Sequence, residues 1–228
     1  MQENIWEKEY RDPSLVSLSD VPAQCVRDFA RFLRKEKKIE LDNLNILDLG
    51  CGNGKNSHYI AEQGLNNRIT GIEISDTVLS HARRLVPNGN FTKQSIGIPW
   101  PVADQDFDIV LDVTCSNSLN ENERAVYLTE LKRGLKPGGY FFIRALCKDG
   151  DKNAQNLLKT NPGKEKDTYI MPGLGLTERV FSKEDLLETY SALGAPLYLD
   201  KETHYTKFGG KSYKRNFWVG VWMKKLYE

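Results

Sequence analysis

The stretch Ile46-Leu47-Asp48-Leu49-Gly50-Cys51-Gly52-Asn53-Gly54 decides the fold prediction, because it joins an apolar run to a glycine-rich turn. The run at 44–49 predicts a buried strand, and residues 55–63, which Gly64 follows, predict a helix. Glycines between a strand and a helix can adopt positive φ and let a ligand lie against the backbone. The stretch therefore predicts a strand, a ligand-binding turn and a helix in succession.

The alternation of strand and helix continues on both sides of this stretch. Upstream, Asp20 is predicted as an N-cap, and apolar residues from Val21 to Leu33 recur at helical spacing, which predicts a first amphipathic helix. Downstream, periodicity predicts four strands and two helices, with strands at 68–74, 90–94, 107–113 and 140–146 and helices at 76–86 and 121–135. The run Lys136-Pro137-Gly138-Gly139 closes the last of these helices.

The C-terminal third begins with a long segment of weak periodicity. Residues 148–177 are rich in Lys, Asp, Asn, Gly and Pro, which predicts a mobile loop and a lid candidate. Ser182 then predicts the cap of a helix that continues to Leu193. Strands at 197–205 and 216–224 predict a closing hairpin with a long loop.

These elements predict the fold class. Five strands that alternate with helices pair in parallel and carry helices on both faces, as in a three-layer αβα sandwich of the α/β class, and the hairpin adds an antiparallel strand. Ligands in such sheets bind beyond the carboxyl ends of the strands where the strand order reverses, here beside the first strand. A chain of 228 residues predicts one structural domain, with residues 1–40 as a segment and helix over the site and 41–228 as the binding domain.

Composition names no class of partner, because 32 Lys and Arg residues balance 31 Asp and Glu residues. Four cysteines without a C-x-x-C pair predict reduced thiols, and His58, His81 and His204 lack metal-site spacing, so no metal is predicted. The charged N-terminus and the lack of an apolar run of roughly 18 residues predict a cytoplasmic protein with no membrane contact.

Glu73 is the second feature of the predicted ligand site. It ends the second predicted strand, 19 residues after Gly54, where a carboxylate can accept both hydroxyl groups of a ribose. A nicotinamide dinucleotide site would show G-x-G-x-x-G, whereas these glycines run G-x-G-x-G and Lys55 occupies the place of the third small residue. The pattern therefore disfavours a pyrophosphate cradle.

The run D-x-G-x-G-x-G at 48–54, Glu73, the segment Gln94-Ser95-Ile96, and Pro99-Trp100 before residues 107–110 together resemble the class I S-adenosylmethionine (SAM)-dependent methyltransferases. The resemblance covers roughly residues 44–146, and the closing helix and hairpin suit that family's sheet. It implies a seven-stranded, mostly parallel, Rossmann-like sheet, a transferase of the EC 2.1.1 type, and SAM as cofactor.

The resemblance also implies the residues that hold the cofactor. Asp48 would meet the methionine ammonium, directly or through water, and Glu73 would hold the ribose. The loop residues would lie under the methionine and ribose: Gly50, Cys51, Gly52, Asn53 and Gly54. Ile74 and Ile96 would face the adenine, and the backbone of Ser95 or Ile96 would serve a ring nitrogen.

At one position the chain departs from the family pattern. An aspartate usually accepts the exocyclic amine of adenine after the third strand, and here that position is Gln94. Its side-chain carbonyl could accept the same bond, so the pocket would keep a neutral partner.

Three further residues have alternative roles. Asp112, near the end of the fourth predicted strand, would line the methionine or substrate side, or would be a solvated strand end. Trp6 and Tyr10 would fold over the cofactor, as an aromatic N-terminal segment does in many members of the family, or would only attach the first helix to the domain.

The sequence around particular residues disfavours some classes of methyl acceptor. Cys115 and Cys147 lack the Pro-Cys context of cytosine C5 methyltransferases, which favours small buried side chains. The Asn or Asp-Pro-Pro-Tyr signature of amino-methylating members is missing at 112–117. The basic, aromatic tail at 201–228 would suit stacking on RNA, but strand alternation explains it as well.

The acceptor and any catalytic base remain unassigned, because methyl transfer asks mainly for alignment of nucleophile, carbon and sulfur. A small-molecule acceptor is the leading hypothesis, since the chain is near neutral and shows no added nucleic-acid domain. An RNA or protein methyltransferase is the second hypothesis, and a SAM-binding protein without turnover is the third.

Overall fold

The computed structural model describes residues 2–15, 18–208 and 211–226. Its helices are α1 (Gln2–Arg11), α2 (Gln24–Lys35), α3 (Lys55–Ala61), α4 (Asp76–Leu85), α5 (Glu121–Gly134), α6 (Lys152–Thr160) and α7 (Lys183–Thr189). Its strands are β1 (Asn45–Leu49), β2 (Arg68–Glu73), β3 (Asn90–Lys93), β4 (Phe107–Val113), β5 (Leu135–Leu146), β6 (Thr168–Ile170), β7 (Thr177–Arg179), β8 (Tyr198–Phe208) and β9 (Lys211–Met223). Short 3₁₀ turns follow β4 at Ser116–Ser118 and α7 at Ser191–Leu193.

One sheet organises the molecule, with seven strands in the order β3-β2-β1-β4-β5-β9-β8. Strands β1 to β5 pair in parallel, and β9 pairs antiparallel with both β5 and β8. The strand order reverses at β1, whose neighbours are β2 and β4, so the carboxyl end of β1 is the switch point where ligands bind in such sheets. The predicted α/β class and seven-stranded sheet are confirmed.

The core lies on both faces of this sheet. One cluster joins the sheet to α5 and α7 and contains the buried Tyr127, Leu186 and Trp222. A second cluster joins the other face of the sheet to α2, α3 and α4. In this cluster Phe29 of α2 stacks on Phe142 of β5, with ring centroids 4.8 Å apart. The molecule is therefore the predicted three-layer sandwich.

The N-terminal region differs from the prediction in two ways. Residues 2–11 form the helix α1, which was not predicted. The amphipathic helix α2 begins only at Gln24, after the N-cap Ala23, so the predicted cap at Asp20 is wrong. Val21 is 64% exposed, because it precedes the helix and lies outside its apolar stripe. The Asp20 carboxylate instead accepts a hydrogen bond from the Asn53 side chain, 3.0 Å away.

The segment predicted as a mobile loop is ordered structure. Residues 148–177 contain α6 and the strand β6, which pairs with β7 in a separate two-stranded sheet. Asp151 caps α6 by accepting from Ala154 N at 2.8 Å, and its other carboxylate oxygen accepts from Asn216 N at 2.7 Å. Because this second contact comes from β9, tertiary structure supplies the order that local periodicity did not indicate.

Two strand boundaries also differ. β5 begins at Leu135 and not at Tyr140, because Leu135 pairs with Phe107 of β4, and Gly138 N bonds to Lys224 O at 2.8 Å. β8 and β9 pair as far as Phe208 and Lys211, so the predicted long hairpin loop is wrong. The consecutive Phe217 and Trp218 are both buried, since β9 lies inside the sheet and both of its faces are covered.

Candidate functional site

The glycine loop lies where β1 ends. Gly50 N donates to Ile72 O at 2.7 Å, which ties the loop to β2, and Gly50 has φ +64°. A Cβ at Gly50 would lie 2.1 Å from Cys115 Sγ, so a larger residue would displace the chain after β4. A Cβ at Gly52 would meet no atom within 4 Å, so the backbone of Gly52 faces open space. The loop thus offers bare backbone to a ligand.

Glu73 is joined to this loop through its carboxylate. The carboxylate is buried and accepts from Gly52 N at 3.1 Å, Ile74 N at 2.8 Å and Ser75 N at 3.0 Å. Burial raises the pKa of Glu73 above its usual value, and these backbone donors oppose that rise. Glu73, which lies 19 residues after Gly54 in the sequence, is therefore in direct contact with the glycine loop.

Asp48 and Asp112 place two more buried carboxylates beside the loop. Asp48 accepts from Ser57 Oγ at 2.5 Å, and burial raises its pKa to about 7, with the charges of Glu73 and Asp112 adding to the rise. Asp112 is fully buried and accepts from Cys115 N at 3.0 Å and Tyr127 Oη at 2.8 Å. The alternative that Asp112 is a solvated strand end is therefore wrong, because both its oxygens are held inside the protein.

These three carboxylates lack positive partners. Among the residues that the structure describes, no Lys, Arg or His nitrogen lies within 4.0 Å of Asp48, Glu73 or Asp112. Buried charges are normally paired, because an isolated charge is costly away from water. The carboxyl end of β1 is therefore suited to a cationic ligand.

The segment after β3 forms the next wall. The Gln94 side chain donates through Nε2 to Pro99 O at 2.8 Å, which leaves its carbonyl oxygen as the available acceptor. Ile96 is buried, Ile74 is half-buried, and Ser95 Oγ accepts from Gly97 N at 3.1 Å. Gln94 N donates to Glu73 O at 2.8 Å, so this wall is continuous with the acid at the end of β2.

Helix α1 lies across these features. The Glu7 carboxylate accepts from Ser75 Oγ and Thr77 Oγ1, both at 2.6 Å, and these bonds lower its pKa to about 2. Gln2 Nε2 donates to Thr177 O at 3.1 Å, so the helix reaches from the start of α4 to β7. Burial raises the pKa of Tyr10, and the negative charge of Glu73 adds to that rise.

The aromatic pair of α1 has a signal in the sequence. Trp6 and Tyr10 stack with centroids 5.4 Å apart, and Arg11 pairs with Glu7 at 2.9 Å. Both pairs are separated by four residues, the spacing at which side chains meet on a helix. This spacing could have predicted α1, whereas nothing in the sequence links Glu7 to Ser75 and Thr77.

The remaining candidates show no catalytic chemistry. Burial raises the pKa of the Cys51 and Cys115 thiols well above their usual value, and that of Cys147 to about 12, so these thiols are neutral near pH 7. His58 Nε2 lies 3.5 Å from Glu62 Oε1, and both side chains are exposed. The described part of the chain holds no group of three or more potential metal ligands. It also holds no helix with the length and apolar character needed to cross a membrane.

The sheet order, with a glycine loop and a buried acid at the ends of β1 and β2, agrees with the arrangement expected from the resemblance to class I, Rossmann-like SAM-dependent methyltransferases. Residues 46–139 match the family model of a methyltransferase domain. Residues 46–139 therefore form a methyltransferase domain, in agreement with the resemblance to the SAM-dependent class and with SAM as cofactor. Asp48, the glycine loop and Glu73 all lie inside the matched range.

Curated methyltransferases show partial sequence similarity to the chain. The chain is 30% identical over 107 residues to a fatty-acid O-methyltransferase of Mycolicibacterium smegmatis, a match that covers 46% of this chain and 38% of the relative. It is 24% identical over 155 residues to a trans-aconitate 2-methyltransferase of Azoarcus sp., which covers 67% of this chain and 56% of the relative. The chain thus spans about half or less of the length of these curated relatives.

A solved SAM-dependent methyltransferase from Methanosarcina mazei shares the fold. Its TM-score is 0.72 at 21% identity, and the match covers 84% of this chain and 96% of that one. At this identity the likeness concerns the architecture alone.

Proposed function

We propose that this protein transfers a methyl group from SAM to a small-molecule acceptor. The observation that carries the proposal is the group of buried carboxylates, Asp48, Glu73 and Asp112, which meets no positive side chain among the described residues. SAM carries a sulfonium and an ammonium, and it supplies a methyl group that the sulfonium already activates. The charge of this ligand suits the charge of the cleft.

Each proposed contact uses a group that the protein leaves available. Asp48 would accept from the ammonium, and the open backbone at Gly52 would lie against the ligand. Glu73 would hold the ribose while its backbone donors keep the carboxylate fixed. The Gln94 carbonyl would accept from the adenine amine, and Ile74 and Ile96 would face the ring.

Helix α1 would close the cofactor cleft from above, as part of an N-terminal segment at 1–40 that covers a binding domain at 41–228. The Glu7 bonds to Ser75 and Thr77 fix the helix to the residues that follow β2, and the charge of Glu73 acts on Tyr10 of the same helix. A covered cleft excludes water, which strengthens the electrostatic contacts inside it.

The relatives support a small acceptor. One is named for fatty acids and another for trans-aconitate, and both names denote small carboxylic acids. Phe217 and Trp218, two of the aromatics that would suit stacking on RNA, are buried in the sheet and unavailable to bases. Tyr205 is 76% exposed and could stack on a base, so the test below includes RNA as an acceptor.

The proposal is tested by thermal unfolding and by transfer of labelled methyl. SAM and S-adenosylhomocysteine should raise the melting temperature while NAD does not, since a ligand of the native state stabilises it by mass action. Glu73→Ala should reduce the shift. Methyl-labelled SAM is then incubated with carboxylic acids, amines, phenols and RNA. No shift with either sulfur nucleoside would refute the cofactor, and labelling of RNA alone would refute the small acceptor.

A further inference from the structure

Arg144 lies close to the cofactor cleft but outside the residues assigned to it. It is half-buried near the carboxyl end of β5, and its Nη1 donates to Thr114 Oγ1 at 3.2 Å. Thr114 follows directly on β4 and precedes Cys115, whose sulfur lies against Gly50. Thr114 and Cys115, which are adjacent in the sequence, thus connect the Arg144 guanidinium to the glycine loop that would hold the methyl donor.

The protein holds the Arg144 guanidinium in a fixed orientation. Its central carbon lies 3.4 Å from the centroid of the Phe217 ring, which is a stacking contact. Its Nε lies 3.9 Å from Glu202 Oε2, too far for a hydrogen bond but within range of an ion pair. Of the side chains that the structure describes, none accepts from Nη2. A stacked guanidinium with a free edge is suited to a planar carboxylate, which it can bind through two parallel bonds.

Lys55 is a second positive charge that interacts electrostatically with Arg144. It follows Gly54 at the start of α3 and is half-buried, and no carboxylate of the described residues lies within 4.0 Å of it. Burial lowers the pKa of Lys55, and the positive charge of Arg144 lowers it further, while the charge of Asp20 opposes the effect. The charge of Arg144 therefore acts on Lys55, and an anion bound at the free edge of Arg144 would reduce this repulsion.

Their acidic neighbours neutralise them only in part. Glu202 divides its contacts between Arg144 and His204, which lies 3.1 Å from the same oxygen. Arg215, whose charge also lowers the pKa of Arg144, has its own partner in Asp151 at 3.3 Å. An anionic ligand would meet two cations and one loosely held carboxylate here.

We propose that Arg144 and Lys55 bind the carboxylate of an acidic methyl acceptor, and this inference rests on the methyltransferase function proposed above. The carboxylate oxygen forms a bond to the methyl carbon while the carbon–sulfur bond breaks and its electron pair returns to sulfur. The products are a methyl ester and S-adenosylhomocysteine. No proton leaves the acceptor, because a carboxylate is already ionised near pH 7, so the reaction needs no general base.

The test measures carboxylate binding separately from methyl transfer. Octanoate and trans-aconitate are titrated into the wild-type protein with and without S-adenosylhomocysteine, and octanamide serves as the neutral control. Binding is followed by calorimetry and by the ¹⁵N signals of the arginine guanidinium groups. At least one acid should bind and move the Arg144 Nε signal, while the amide should not.

Variants assign the effect to the proposed residues. Arg144→Gln should weaken acid binding about 10- to 100-fold, Arg144→Lys should weaken it less, and Lys55→Gln should weaken it by a smaller factor. Arg31→Gln is the matched control, since it removes a cation that is 58% exposed on α2 and paired with Asp28. S-adenosylhomocysteine should bind Arg144→Gln as it binds the wild type, which also shows that this variant is folded.

The outcomes separate the two proposals. The carboxylate site is refuted if neither acid moves the Arg144 signal, or if the acid binds Arg144→Gln and Lys55→Gln as tightly as it binds the wild type. Labelled methyl on neutral acceptors alone would refute it too, and would leave the methyltransferase function standing. If S-adenosylhomocysteine does not bind the wild type, the function fails, and the titration without it still decides whether Arg144 binds carboxylates.

Discussion

Replacement of Asp48 by Asn should stabilise the ligand-free protein and weaken its binding of the cofactor. The Asp48 carboxyl is fully buried, and its pKa is raised from 3.8 to about 7. A group whose folded-state pKa is raised binds more protons in the folded than in the unfolded state between these two values. The free energy of unfolding therefore falls as the pH rises from about 4 to about 7, and stays lower above that range.

The magnitude follows from the size of the shift. A rise from 3.8 to about 7 corresponds to about 4 kcal/mol at pH 8, at about 1.4 kcal/mol per pKa unit, and to about 1.6 kcal/mol at pH 5. Asn cannot ionise, and its carbonyl can still accept from Ser57 Oγ. Asp48→Asn should therefore exceed the wild type in stability by an amount that grows with pH.

The assay is urea unfolding at pH 5 and pH 8, followed by calorimetric titration with SAM. Wild-type affinity for SAM should rise as the pH increases through about 7, because the ionised Asp48 carboxylate attracts the ammonium. Asp48→Asn should bind about 10- to 100-fold more weakly at pH 8 and lose this pH dependence. Glu188→Gln, which changes an exposed carboxylate on α7, is the control. A stability difference that does not grow with pH, together with unchanged SAM affinity, would refute the reasoning.

Three further changes test the loop, the covering helix and a cap. Gly50→Ala should abolish cofactor binding, since its Cβ would lie 2.1 Å from Cys115 Sγ; an unchanged melting shift with S-adenosylhomocysteine would contradict the observed contact. Glu7→Ala should speed cofactor release in stopped-flow experiments by freeing α1 from Ser75, and an unchanged rate would show that α1 does not retain the ligand. Asn120→Ala removes the side chain that caps α5 and should cost about 1 kcal/mol in urea unfolding without changing cofactor affinity.

The central sheet could be predicted because its signals are local. The apolar runs that became β1 and β4 are bounded by turn residues, and Ser182 caps α7 as its position indicates. The start of β5 could not be predicted, because Pro137 and the glycines after it resemble a turn, and the strand is extended by tertiary pairing with β4 and with the segment after β9. The same holds for α6, which buries only Ala154 and depends on contacts with β9.

Part of the candidate site could also be predicted from local sequence, and part could not. The glycine loop and Glu73 could be found because their spacing along the chain reflects one local unit of strand, turn and helix. Arg144 and Lys55 are 89 positions apart and belong to no common motif. The electrostatic effect of Arg144 on Lys55 depends on the position of β5 in the sheet and on the start of α3, and single-sequence periodicity contains neither.

Charge connects the two proposed halves of the site. The acids at the ends of β1, β2 and β4 favour a cationic methyl donor, and Arg144 with Lys55 favours an anionic acceptor. Each ligand would therefore meet side chains of opposite charge, which compensate for the water that the ligand loses on binding. A carboxylate and a sulfonium neutralise each other as the methyl group moves. The ester and S-adenosylhomocysteine then retain less charge for these groups to hold, so the arrangement that attracts the reactants binds the products more weakly. Lys55 directly follows the glycine loop, so the residues proposed to bind the cationic donor and the anionic acceptor meet at one short turn.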